Sequence, residues 1–196
     1  LTELKRVASD DIDIDRVFQD AVNLSKELGN NITDVMDAVN DLARTFGNFN
    51  EQQLKAVAET VILMSNVSDL KPAEAMETLV GTMNAFNITA KESIHIVDAL
   101  NEVDNNYSVS TKQLAEGLSK SASTAKTFGV TLEENIGHIT AITAVTQESG
   151  NVVGNALKTI YSRITTLDDA DEVLRSIGIS IRDLNGDVRP VNDILG

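Results

Sequence analysis

One punctuation mark returns along this chain at a fixed interval: Val67-Ser68, Ile88-Thr89, Val109-Ser110 and Val130-Thr131 stand 21 residues apart. Equal spacing implies copies of one small structural unit, so it constrains the fold more than any single residue does. Thr89 is followed three residues later by Glu92, Ser110 by Gln113 and Thr131 by Glu134. This is the spacing of a capping box, in which the hydroxyl takes a free amide of the first turn and the Glu or Gln reaches back to the cap amide. Each mark is therefore expected to open a helix. Asn50 and Gln53 repeat the pattern upstream, with Phe49 and Leu54 at staple spacing across the cap. Aromatic residues return at the same interval, as Phe86, Tyr107 and Phe128, and are expected to plug spaces between helices.

Between the marks the apolar residues recur at three and four. Val17, Phe18, Ala21, Leu24 and Leu28 form one stripe, stopped by Gly29-Asn30-Asn31, and Val35, Met36, Val39, Leu42 and Ala43 form the next. Leu54, Val57, Val61 and Met64 follow, then Met76, Leu79, Val80, Met83 and Phe86 behind Pro72, which a first helical turn tolerates. Later stripes are Ile94, Val97, Leu100 and Val103; Leu114, Leu118, Ala122 and Ala125; Ile136, Ile139, Ile142 and Val145; and Val153, Leu157, Ile160 and Tyr161. The face through Ala122 is thin enough to let a neighbouring backbone approach closely. Helices of about 16 residues joined by short turns fold back on one another. The expected fold is all-α: antiparallel helical hairpins stacked in a bundle or short solenoid. It occupies a helical-repeat domain over 1–167, with a subdomain edge near Leu167.

The remaining stretch, 168–196, differs. Asp168, Asp169, Asp171 and Glu172 lead a short helix that Gly178 ends. Ile179 to Asp183 then alternates, and Leu184-Asn185-Gly186 has turn character, so a small β-hairpin or extended arm is expected.

Composition narrows the partners. Thirty acidic against sixteen basic residues give a net charge of −14, a field that repels phosphate backbones and disfavours direct nucleic-acid binding. No run approaches the roughly 20 apolar residues of a membrane span, so no membrane contact by this segment is expected. Cysteine is absent, which removes disulfides and thiol chemistry. The start at Leu1, without methionine or leader, has the character of a piece of a longer protein.

Catalytic and metal constellations find little support. His95 and His138 lie 43 residues apart without a third ligand at a metal-site spacing, and are read as structural or solvated. Asp11, Asp13 and Asp15 have the opening spacing of a calcium loop, but Arg16 stands at its glycine and Val22 at its bidentate glutamate. Asp183, Asn185 and Asp187 are better explained by turn chemistry. No Gly-x-Ser-x-Gly elbow occurs, and Gly150 to Gly154 is too short for a phosphate loop, so a turn with a close helix crossing is expected there. No catalytic residue, metal ligand or cofactor is assigned, and the chain is expected not to be an enzyme.

From Leu114 to Arg163 the chain resembles the core region of phage tail tape measure proteins of the TP901 type. The residues that carry this are Leu114-Ala115, Ala125, Phe128-Gly129-Val130-Thr131, Glu133-Glu134, Glu148-Ser149-Gly150-Asn151, Gly154-Asn155-Ala156-Leu157-Lys158, Ile160 and Arg163. Downstream, Ile177-Gly178-Ile179, Asp183, Gly186, Arg189 and Asp193-Ile194-Leu195 extend the match. The resemblance implies a virion structural protein of a tailed phage or prophage, in the tail tube lumen or tip and in the host cytoplasm during assembly. It would serve tail assembly, tail length determination and genome ejection. The implied partners are tail tube and tail tip proteins and tail assembly chaperones, and a homo-oligomer is allowed. The competing expectation is a helical-repeat protein–protein binding module, which an exposed apolar stripe would favour.

Overall fold

The computed structural model describes residues 4–7, 12–164, 168–183, 189 and 193–194. The chain divides into two compact units, one of Leu1–Met83 with Asn87–Glu102, the other of Asn84–Phe86 with Val103–Gly196. Every long described element is a helix, and the helices pack on one another within each unit.

The first unit begins with a short α1 (Leu4–Val7), then α2 (Ile14–Leu28), α3 (Ile32–Thr45) and α4 (Glu51–Ser68). Asp13 caps α2, its carboxylate accepting the amides of Asp15 and Arg16, each at 3.1 Å. Asp13 of the aspartate run thus serves as a helix cap, and Asp11 lies outside the described residues. Asn31 caps α3 through the Thr33 amide at 2.9 Å, and Asn50 with Gln53 forms the expected box at 2.9 and 3.0 Å. The predicted stripes face inward: Val17, Ala21, Leu24, Val35, Val39, Leu42, Leu54, Val57, Val61 and Met64 are all buried. Each such side chain removed from water is worth about 1.5–3 kcal/mol, which is why the stripes decide the packing.

Polar contacts along the bundle fix direction. The Glu51 carboxylate takes the Asp13 amide at 2.9 Å and pairs with Arg16 at 3.4 Å, Lys55 pairs with Asp20 at 3.1 Å, and the Asn66 amide donates to the Leu28 carbonyl at 3.3 Å. The partner numbers rise together, so α2 and α4 run parallel and α3, which packs on both, returns between them. Beyond lie α5 (Pro72–Phe86), a 3-10 turn at Ala90–Glu92 and α6 (Ile94–Asn106).

The second unit repeats this up-down-up plan with α7 (Thr111–Thr127), α8 (Leu132–Thr146) and α9 (Gly150–Ile164), followed by α10 (Asp168–Ser176). Ser110 with Gln113 and Thr131 with Glu134 form the expected boxes. Asp104 adds a clamp, accepting the Thr111 amide at 2.9 Å and its hydroxyl at 2.7 Å.

Three expectations need correction. Ser68 does not open a helix: it is the last residue of α4, its buried hydroxyl donating back to the Met64 carbonyl, and α5 starts at Pro72. Thr89 opens a 3-10 turn, and the α-helix begins only at Ile94. There the Glu92 carboxylate accepts both the amide and the hydroxyl of Thr89, and these bonds, the hydroxyl's first, hold the Glu92 carboxyl below its ordinary range. Tyr107 is no plug, being 60% exposed, and Phe86 and Phe128 are only half-buried. The reason is positional: Phe86 ends α5, Tyr107 follows α6 and Phe128 is the C-cap of α7, so all three sit at helix ends. Ser110→Ala is accordingly expected to cost about 1 kcal/mol in urea denaturation. Tyr107→Ala should cost less than about 0.5 kcal/mol, and a loss of several kcal/mol would restore the plug role.

At the C-terminus the described residues hold no strand. The Arg189 amide donates to the Ile181 carbonyl at 2.8 Å, and its guanidinium reaches the carbonyls of Ser180 at 2.9 Å and Asp193 at 2.7 Å. Ile181 and Ile194 are buried. The expected turn, with Asn185, Gly186 and Asp187, and the expected subdomain edge at Leu167 both lie outside the described residues.

Candidate functional site in the second helical unit

The closest packing in the second unit is between α7 and α9 rather than within a hairpin. Gly117 on α7 faces Gly154 on α9: a Cβ added at Gly154 would stand 2.5 Å from the Gly117 carbonyl oxygen and 2.9 Å from Lys120 Cβ. At Gly150 it would overlap the Gln113 carbonyl. The pairs 113 with 150 and 117 with 154 rise together, so α7 and α9 cross in parallel, backbone against backbone. The crossing expected at Gly150–Gly154 is present. α8 runs the other way, with Gly117 against Ile139 and Ser121 against Asn135.

A chain of buried polar groups pins these three helices. Tyr161 of α9 is 1% exposed, and its hydroxyl donates to Asn135 Oδ1 of α8 at 3.1 Å. Asn135 Nδ2 donates to Ser121 Oγ of α7 at 2.9 Å, and Ser121 donates to the Gly117 carbonyl at 2.9 Å. His138 Nδ1 lies 2.7 Å from the Tyr161 oxygen. With the phenol proton on Asn135, an Nδ1–H tautomer of His138 donates to the Tyr161 oxygen, an assignment made from the hydrogen-bond network. The direction is then His138 to Tyr161 to Asn135 to Ser121 to Gly117. Both the Nδ1–H tautomer and the imidazolium keep it intact. Burial, and secondarily the Glu134 carboxylate, hold the Tyr161 phenol well above its ordinary pKa, so it stays a donor. Buried polar groups satisfied in this way specify one packing, because any slip would strand several of them.

The two histidines thus occupy unlike environments. His138 is half-buried against Tyr161, whereas His95 is exposed on α6. Among the described residues no group of three His, Asp or Glu could hold a metal ion. Sequence reasoning placed Tyr161 on an inward stripe but missed Asn135 and Ser121 as its partners. A helix-interior Asn on the same side as Ile136 and Ile139 was the available signal. In the first unit, Asp34, Asp37, Ala38 and Asp41 of α3 and residues 71–73 and Met76 line an open groove of about 400 Å³.

Comparison with known proteins agrees with a tail assignment. The sequence profile of the family described as phage-related minor tail protein matches residues 19–196. The chain is 22% identical over 182 residues to a tape measure protein of Pneumococcus phage Dp-1, covering 92% of this chain and 16% of that protein. It is 23% identical over 190 residues to a probable tape measure protein of Escherichia phage P2, covering 96% of this chain and 23% of that protein. The chain thus spans less than a quarter of the length of either relative. No solved structure matches it significantly.

Proposed function

The chain belongs to the phage-related minor tail protein family, and on that premise we propose that it is a compact helical segment of a tail tape measure protein, with a part in tail length determination and genome ejection. The observation that carries this is the likeness to two tape measure proteins along nearly the whole chain. The role in this reading is structural: the linked Ser121, Asn135, His138 and Tyr161 side chains hold three helices of the second unit together. Its partners are tail tube and tail tip proteins and assembly chaperones, met first in the host cytoplasm and then in the virion. No described helix is long and apolar enough to cross a membrane.

The fold limits how such a segment measures length. Residues 14–68 would reach roughly 80 Å as one continuous helix at about 1.5 Å per residue, but folded as α2–α4 they extend only about as far as α4, near 27 Å. Folded, it is a poor ruler. It therefore serves as a compact body at one end of the tape, or it unfolds on assembly or ejection. In-frame removal of residues 14–68 from the parent protein separates these, with tail length read by electron microscopy. A compact end predicts shortening of about 30 Å or less, and shortening near 80 Å would show that this segment lies extended along the tube. Direct imaging of the segment as an extended rod in intact tails would reject the compact form as well.

A further inference from the structure

One heptad alternation runs unbroken through α8, its turn and α9. In α8 the buried Leu132, Ile136, Ile139 and Thr143 follow one another at steps of four and three, and Thr146 takes the next step. Beyond the turn the same alternation lands on Gly150, Val153 and Leu157, all buried, and then on Ile160. It also runs in from α7, whose buried Thr111, Ala115, Leu118, Ala122 and Ala125 lead through Gly129 to Leu132, because the 21 residues between marks are three heptads. Such continuity is not automatic. Carried on from Leu42 of α3, the alternation would fall on Gln52 and Glu59, both exposed, whereas α4 buries Leu54, Val57 and Val61. A hairpin has no need of a shared phase, since its turn can set the second helix at any rotation, but one straight helix does.

The turn between α8 and α9 is also unlike its neighbours. The α2–α3 and α7–α8 turns place Gly29 at φ +72° and Gly129 at φ +76°, a left-handed conformation that glycine adopts without strain. Between α8 and α9 stand Gln147, Glu148 and Ser149, with neither glycine nor proline, and here Gln147 takes φ +58°. Asp69 and Asn87, the other non-glycine residues at positive φ among those described, are of the kinds that tolerate it best. Glutamine carries a longer side chain and favours the right-handed helix, so this turn stores strain that straightening would release.

We propose that the Gln147–Ser149 turn is a straightening joint. Gln147 passes from the left-handed to the helical region, and α8 and α9 become one helix over Leu132–Ile164, about 50 Å long, with the same residues on its seam. The inference rests on the tape reading above and says how a folded segment of the tape gains length. Straightening gives up the crossing of α9 with α7 at Gly117 and Gly154, so the hairpin holds in the free chain. In a tail, a heptad seam regains cover by pairing with another such helix.

Insertions at the turn separate a joint from a fixed bend. Ser-Ala placed after Glu148 gives a turn of about five residues, ordinary for a helical hairpin, but throws the seam of a straight helix onto its opposite side. A second copy of residues 142–148 placed there makes a much longer turn yet keeps the heptad phase. In the isolated chain, Ser-Ala should leave the urea midpoint near that of the wild type, and the seven-residue copy should lower it. In the parent phage the order should invert: Ser-Ala cuts the number of normal tails at least about tenfold, whereas the copy leaves it within about twofold, in tails about 10 Å longer. Should Ser-Ala weaken the isolated chain, Gln147→Gly decides, because glycine accepts the left-handed turn and disfavours the helix. It should raise the urea midpoint and lower the tail count together. Tails that take two residues as well as seven, or wild-type tails with Gln147→Gly despite a higher midpoint, would overturn the joint. Removal of residues 132–164 from the parent reads the tape role separately, with shortening of about 50 Å expected. Tails of unchanged length would reject that role and this inference with it, while shortened tails that treat the two insertions alike would overturn the joint alone.

Discussion

Gly154→Leu is expected to destabilise the second unit by about 3 kcal/mol or more, enough to appear as an early transition in urea denaturation. The cost arises because a Cβ at Gly154 meets the Gly117 carbonyl at 2.5 Å, and backbone cannot swing aside as a side chain can. The larger side chain must push α7 from α9 and so open the tightest contact of the unit. Gly154→Ala separates packing from propensity. Alanine favours a helix over glycine by about 1 kcal/mol, so a net loss at 154 can come only from the crossing. Gly81 supplies the contrast: it lies within α5 with nothing within 4 Å of its would-be Cβ, and Gly81→Ala should stabilise by about 0.5–1 kcal/mol. If both alanine variants shifted stability in the same direction, the close crossing would not be the structural constraint inferred here.

Tyr161→Ala is expected to cost about 3–5 kcal/mol, since it empties the space of a fully buried aromatic. Tyr161→Phe keeps the ring and removes only the hydroxyl, leaving Asn135 Oδ1 without that donor and His138 Nδ1 without its acceptor. The expected loss is about 1–3 kcal/mol, the cost of stranding buried polar groups. Thermal or urea denaturation measures both. A phenylalanine variant as stable as the wild type would mean that the polar chain contributes nothing beyond ring packing.

Val145 and Ala141 stood on a stripe or beside one in the sequence, but that stripe continues around the helix, and its period alone does not say which side the neighbours will cover. An isolated pattern of three and four identifies a helix and leaves the choice of face to whatever packs against it. The same holds for Tyr107, whose interval matched Phe86 and Phe128 but whose place beyond the end of α6 leaves it in water.

What the amino-acid order determined by itself was local. Helix starts at Asn50, Ser110 and Thr131, the stops at Gly29 and Gly129, and the inward stripes all follow from interactions reaching no more than about four residues, the range of a helical turn. Tertiary structure alone decided that α7 lies parallel to α9, and α2 parallel to α4, with the returning helix packed on both. It also brought Ser121, Asn135, His138 and Tyr161 into one hydrogen-bonded line from three helices. Those choices depend on residues tens of positions apart meeting in space, and many apolar stripes of equal period could have met in other ways. The glycines at 117, 150 and 154 and the buried polar groups make one of those meetings better than the rest.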